Sequence, residues 1–102
     1  MTASKAVRGF SRAGRCRCGQ ELFRLQAGAN PLDYKPMRSV GAGASEIRIH
    51  AGSEHRVIYV AKFAEGVYVL HAFTKKSQAT SLHDVRLAKL RYQEMEQARK
   101  KT

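Results

Sequence analysis

The sequence is short of acid. Its 102 residues hold 8 Asp and Glu against 19 Lys and Arg, a formal net charge of +11, with a pI near 10.3. Such an imbalance repels itself on compaction, and it points to a polyanion or an acidic protein as working partner. The acids are scattered singly, so no carboxylate pair is spaced for metal binding or acid–base work. Long apolar runs are missing too: none approaches the roughly 20 residues that span a bilayer. Met1 to Gly19 carries Lys5, Arg8, Arg12, Arg15 and Arg17 and no acid. It lacks the apolar stretch of a signal peptide, so a cytoplasmic chain with no membrane partner is expected. Cysteine is limited to Cys16 and Cys18. One residue separates them, which is poor spacing for an ordinary disulfide, and no further soft ligand completes a zinc pattern. Free thiols in a reducing compartment are expected, with no metal or other cofactor. Neither a glycine-rich phosphate loop followed by Lys-Ser/Thr nor a nucleophile elbow is present.

The remaining composition suffices for one domain. Hydrophobic residues make up 43%, enough for a modest core and too much for wholesale disorder. The expectation is a single domain over 1–102, with 1–14 and 98–102 frayed. Cys18, Leu22 and Leu25 form one apolar stripe, widened by Phe23, and predict a helix from about Arg15 to Ala27, stopped by Gly28 and Asn30-Pro31. Pro31 to Ser45 contains both prolines and Gly41-Ala42-Gly43, and reads as a loop. Glu46 to His50 alternates strictly and predicts a strand with one wet face. Ala51-Gly52-Ser53 is a turn. His55 to Phe63 and Val67 to Thr74 are rich in β-branched and aromatic residues and predict two more strands, joined through Ala64-Glu65-Gly66. Their near-continuous apolarity implies cover on both faces. Ser81 is placed to cap a last helix from about Leu82 to Gln97, with Asp84 in its first turn and Val85, Ala88, Tyr92 and Met95 on its apolar face. The fold class is α+β: a small antiparallel sheet packed with N-terminal and C-terminal helices.

The chemistry must come from cations. Arg48 lies on the polar face of the first predicted strand. Arg56 interrupts an apolar strand, and Lys75 and Lys76 end the third. In an antiparallel meander these four can converge on one side of the sheet. Convergent Arg and Lys can hold an RNA phosphate and stabilise charge developing on it, while the RNA supplies its own 2′-hydroxyl as nucleophile. Lys62 adds a fifth candidate RNA contact. A guanidinium at Arg56 requires an anion. That anion is either the scissile phosphate or a structural partner, Glu46 or Glu54. Arg48 and the Lys75-Lys76 pair have an equally plain reading as a solvated sheet face and a solvated strand end. Among the histidines, His50, His55 and His71 read as structural, and His83 sits in the first turn of a helix.

The order of these short motifs resembles the phage-derived branch of the RelE/HigB toxin superfamily. Its pattern is close to E-x-R on one strand, Y/H-R-V-x-Y on the next, and L-H-x-F-x-K-K ahead of a last helix. Here these are Glu46 and Arg48; Arg56, Val57 and Tyr59; and Leu70, His71, Phe73, Lys75 and Lys76. The likeness runs from Ser4 to Met95. It implies a sheet with helices on one side and a concave basic face that enters the ribosomal A site. It implies a ribosome-dependent mRNA endoribonuclease, metal-independent, silenced by a cognate antitoxin with a helix-turn-helix DNA-binding domain. Some relatives use a carboxylate base and a histidine acid, which would make Glu46 and His83 the pair here. The C-terminal tyrosine of other relatives has no counterpart, since Tyr92 lies deep in the last helix. An edge strand that usually precedes the first helix is also missing. The alternative from a different class is a non-catalytic basic module that binds RNA or only the antitoxin. A nucleoid-type DNA binder is disfavoured, because no recognition helix or minor-groove arm is apparent.

Overall fold

The computed structural model describes residues 9–75 and 80–100. Helix α1 spans Arg12–Gln26. Four strands come next: β1 Tyr34–Pro36, β2 Ala44–Ala51, β3 Ser53–Phe63 and β4 Gly66–Thr74. Helix α2, Leu82–Lys100, comes last. The strands form one antiparallel sheet in the order β1-β2-β3-β4. The α+β layout and the three main strands stand where the sequence pattern put them.

The sheet is the middle layer. Side chains alternate across a strand, and the helices use opposite sets. On β3, Val57 and Tyr59 pack with Ile47, Ile49, Cys18 and Phe10 under α1. Ile58 and Val60 pack with Leu70, Ala88, Tyr92 and Met95 under α2. This explains why β3 is apolar on both faces. It also corrects the expectation of helices on one side: each helix has a face of its own.

Three boundaries differ from the sequence reading. The segment Pro31 to Ser45 is not all loop, for Tyr34–Pro36 pairs with Ile47, Glu46 and Ser45. Pro36 is tolerated because it sits at a sheet edge. Order begins before residue 14: Phe10 is buried, and Ser11 caps α1 by accepting from the Gly14 amide at 3.0 Å. Helix α2 runs on through Lys100. The expected cap at Ser81 is present, with the Asp84 amide donating to its Oγ at 3.1 Å.

The ladder between β3 and β4 shifts register twice, between Ile58 and Tyr59 and again between Val60 and Phe63. Ile58 pairs with His71 but Tyr59 pairs with Val69, so Leu70 is an extra residue in β4. The bulge shifts the strand's phase. Both Leu70 and His71 can then serve the α2 side, one in the core and the other bonded to Asp84 of α2 at 2.7 Å. Arg91 of α2 donates to His71 Nδ1 at 3.2 Å and to the Leu70 carbonyl at 3.0 Å.

Candidate functional site: a charged half of one sheet face

The α2 side of the sheet has two halves. Ala88, Tyr92 and Met95 cover the half built on Ile58, Val60 and Leu70. The other half, toward the β2–β3 turn, is polar. Register sets out its positions in rows. His50 stands opposite Glu54, and Arg48 opposite Arg56, which stands opposite Phe73. Glu46 stands opposite Ile58, with Lys35 on its other side. The Lys75 amide donates to the Glu54 carbonyl at 2.7 Å, continuing the ladder. Neighbouring columns are about 5 Å apart and same-face neighbours along a strand about 7 Å. Arg48, Arg56 and Lys75 therefore occupy one patch, as the meander predicted.

The three cations are not equally available. Arg56 is 4% exposed. Its guanidinium donates to its neighbour's carbonyl, His55 O, at 3.0 Å and to Glu54 Oε1 at 3.4 and 3.5 Å. Its Nε lies 3.6 Å from Glu46 Oε1. Both acids named as its structural partners are thus present together. Arg48 Nε lies 3.9 Å from the same Glu46 oxygen, but its side chain keeps 34% exposure. Lys75 is half-buried. Lys76 lies outside the described residues. Lys62 is exposed and donates to the Ala42 carbonyl at 3.1 Å. Six residues along β3 from Arg56, it is about 20 Å from the patch.

Glu46 is 1% exposed. It receives Thr80 Oγ1 at 2.8 Å on its second oxygen. With one oxygen on two guanidiniums and the other on a hydroxyl, it acts as the hub of the patch, closed to solvent. His83 is exposed on the first turn of α2. No contact joins it to Glu46 among the described residues.

Sequence reasoning missed the rim of the patch. His50 Nδ1 donates to the Glu54 carboxylate at 2.7 and 2.8 Å, and Nε2 to Asp33 Oδ2 at 2.7 Å. Hydrogen bonds to Asp33 and Glu54 hold the His50 pKa above its ordinary value. The same contact with His50 holds Glu54 below the usual carboxylate range. The signal available was the spacing of His50 and Glu54 across a tight turn; Asp33 was hidden by its distance in sequence. With both ring nitrogens committed, the trio offers no free imidazole lone pair. Among the described residues no three His, Cys, Asp or Glu could hold a metal ion. On the other face His55 is buried. Its Nε2 meets Ser11 Oγ at 3.2 Å and its Nδ1 meets Thr74 Oγ1 at 3.0 Å. Burial lowers its pKa.

Residues 5–93 match the family described as phage derived protein Gp49-like (DUF891). The chain belongs to that family. The match takes in α1, the whole sheet, the patch with its rim, and α2 as far as Gln93. No curated protein and no solved structure is significantly similar to the chain. No helix among the described residues is long and apolar enough to cross a membrane.

Proposed function

We propose that this member of the Gp49-like family is the toxin of a type II toxin–antitoxin pair. It acts as an endoribonuclease that cuts mRNA on the ribosome and so inhibits translation. The family match supports a phage-derived toxin, and the +11 charge supports a polyanionic target and an acidic antitoxin. The observation that carries the reading is the register. It supports one patch in which Arg48 and Lys75 face the RNA phosphate and Arg56 holds the acids behind them. Charge developing on the phosphate in the transition state is then met by preorganised cations. The antitoxin, with a helix-turn-helix domain of its own, covers that patch with acidic side chains.

One observation favours the second reading, a binding module without catalysis. Glu46 and Glu54 already neutralise much of the cationic patch. One experiment separates the two. Induced expression should arrest growth, and primer extension on a reporter should show cuts only where the message is translated. Products should end in a 2′,3′-cyclic phosphate or a 3′-phosphate. Growth arrest without cuts would leave the binding module, and equal cutting of naked RNA would remove the ribosome from the proposal.

A further inference from the structure

The trio Asp33–His50–Glu54 stands beside the cations, and none of its members belongs to either hydrophobic core cluster. His50 side-chain exposure is 51%. Its two partners are not equivalent. Glu54 is its register partner across the turn and is itself held by Arg56 Nη1 and Nη2 at 3.5 and 3.4 Å. Arg56 is in turn buried against Glu46. The Nδ1 side of the ring is therefore fixed by a chain of ion pairs that ends inside the sheet. Asp33, on the Nε2 side, precedes β1 and is 42% exposed. An oxygen of a bound ligand can take its place on Nε2–H without disturbing the sheet. Arg48 lies on the same face about 7 Å along β2, and Lys75 two columns away at about 10 Å. That spacing suits a phosphodiester bridging the cations and the imidazolium.

We infer that His50 is the general acid of the proposed cleavage, donating its Nε2 proton to the departing 5′-oxygen, with Glu54 and Arg56 as positioning residues. This role rests on the endoribonuclease reading. The 2′-hydroxyl releases its proton to solvent water as its oxygen bonds to phosphorus. The bond from phosphorus to the 5′-oxygen breaks, and that oxygen takes the proton from His50. The products are a 2′,3′-cyclic phosphate and a 5′-hydroxyl, and neutral His50 recovers a proton from water. The charged groups facing His50 are Asp33, Glu54, Arg48 and Arg56, with Lys75 in the next column but one. The two acids bonded to the ring keep it protonated above the ordinary histidine range, which suits an acid that must be charged at neutral pH.

The test compares two mRNAs bound to ribosomes, one natural and one with sulfur in place of the bridging 5′-oxygen at the scissile phosphate. A thiolate departs without a proton. His50→Gln should slow single-turnover cleavage of the natural message by about 10² to 10⁴, the usual worth of one acid–base group. It should cut the sulfur message at close to the wild-type rate. The wild-type protein should lose rate on the alkaline side with the natural message and not with the sulfur one. Equal slowing on both messages, or none on the natural one, overturns the assignment while leaving the nuclease reading in place. A wild-type protein that cuts neither message removes the nuclease reading and this role together.

Discussion

Arg56→Ala would cost the protein its fold before its chemistry. The side chain is 5% exposed and the Glu46 side chain 2%. Truncation leaves Glu46 buried with Arg48 at 3.9 Å and one hydroxyl as its remaining partners. Breaking a buried pair by removing one member costs about 3 to 5 kcal/mol. Arg48, partly exposed, can shift toward Glu46 and recover part of that, so about 3 kcal/mol is expected. At about 4 to 8 °C per kcal/mol for a domain of this size, the midpoint should fall by roughly 12 to 24 °C. Circular dichroism melts at fixed pH and salt measure it. Glu46→Leu combined with Arg56→Met should lie much closer to wild type, because replacing both members of a buried pair with apolar residues is often neutral. Any loss of cleavage in the single variant must be read per folded molecule. An Arg56→Ala protein that melts within a few degrees of wild type would refute the account of Glu46 as a hub that depends on Arg56.

Three more outcomes are expected. Gly14→Ala, ordinarily a gain of up to about 1 kcal/mol inside a helix, should destabilise, because its Cβ would come 2.4 Å from the His55 ring; urea midpoints check the sign. His55 has its folded pKa below the ordinary 6.5, so the unfolded chain takes up more protons below that pH and stability should fall as pH drops from about 6.5. His50 has the opposite sign, its contribution complete below about 6.5 and lost as pH rises through its raised value, so the decline above the 4.5 from which Glu54, with its lowered pKa, loses its own contribution belongs to His55 and should shrink in His55→Gln. On the proposed function, Lys75→Ala should slow cleavage on translated mRNA by about 10², while Lys62→Ala, at the far end of β3, should leave it within about twofold; similar losses in both would mean that net charge and not the patch sets the rate.

Much of the architecture was legible because the strands and helices carry strong periodicity. The alternation of Glu46 to His50 and the stripe of Ala88, Tyr92 and Met95 announce their elements locally. β1 was not legible: Tyr34, Lys35 and Pro36 have no periodicity, and only the register with Glu46 makes them a strand. The start of α1 was hidden in a basic segment where, among the described residues, Phe10 is the large apolar anchor. For the patch, sequence placed Arg48, Arg56 and Lys75 on one face because β-strand alternation is local information. It left open whether Arg56 meets a phosphate or a carboxylate, which depends on cross-strand partners. The bridge from Asp33 to His50 spans a loop and a strand pairing, and no local rule reveals it.

The sheet has two borders of unequal risk. β1 offers three residues, one of them a proline, a poor template for another chain. Among the described residues no strand pairs with the outer side of β4; it offers nine residues, mostly apolar, and an unpaired strand of that length recruits its own kind. The extra residue at Leu70 breaks its run in the middle, and Arg91 occupies the carbonyl there. One guanidinium thus divides the border into two stretches of about four residues, below the five to seven that nucleate β-aggregates. Losing Arg91 would be felt less as a lost bond than as clumping at high concentration.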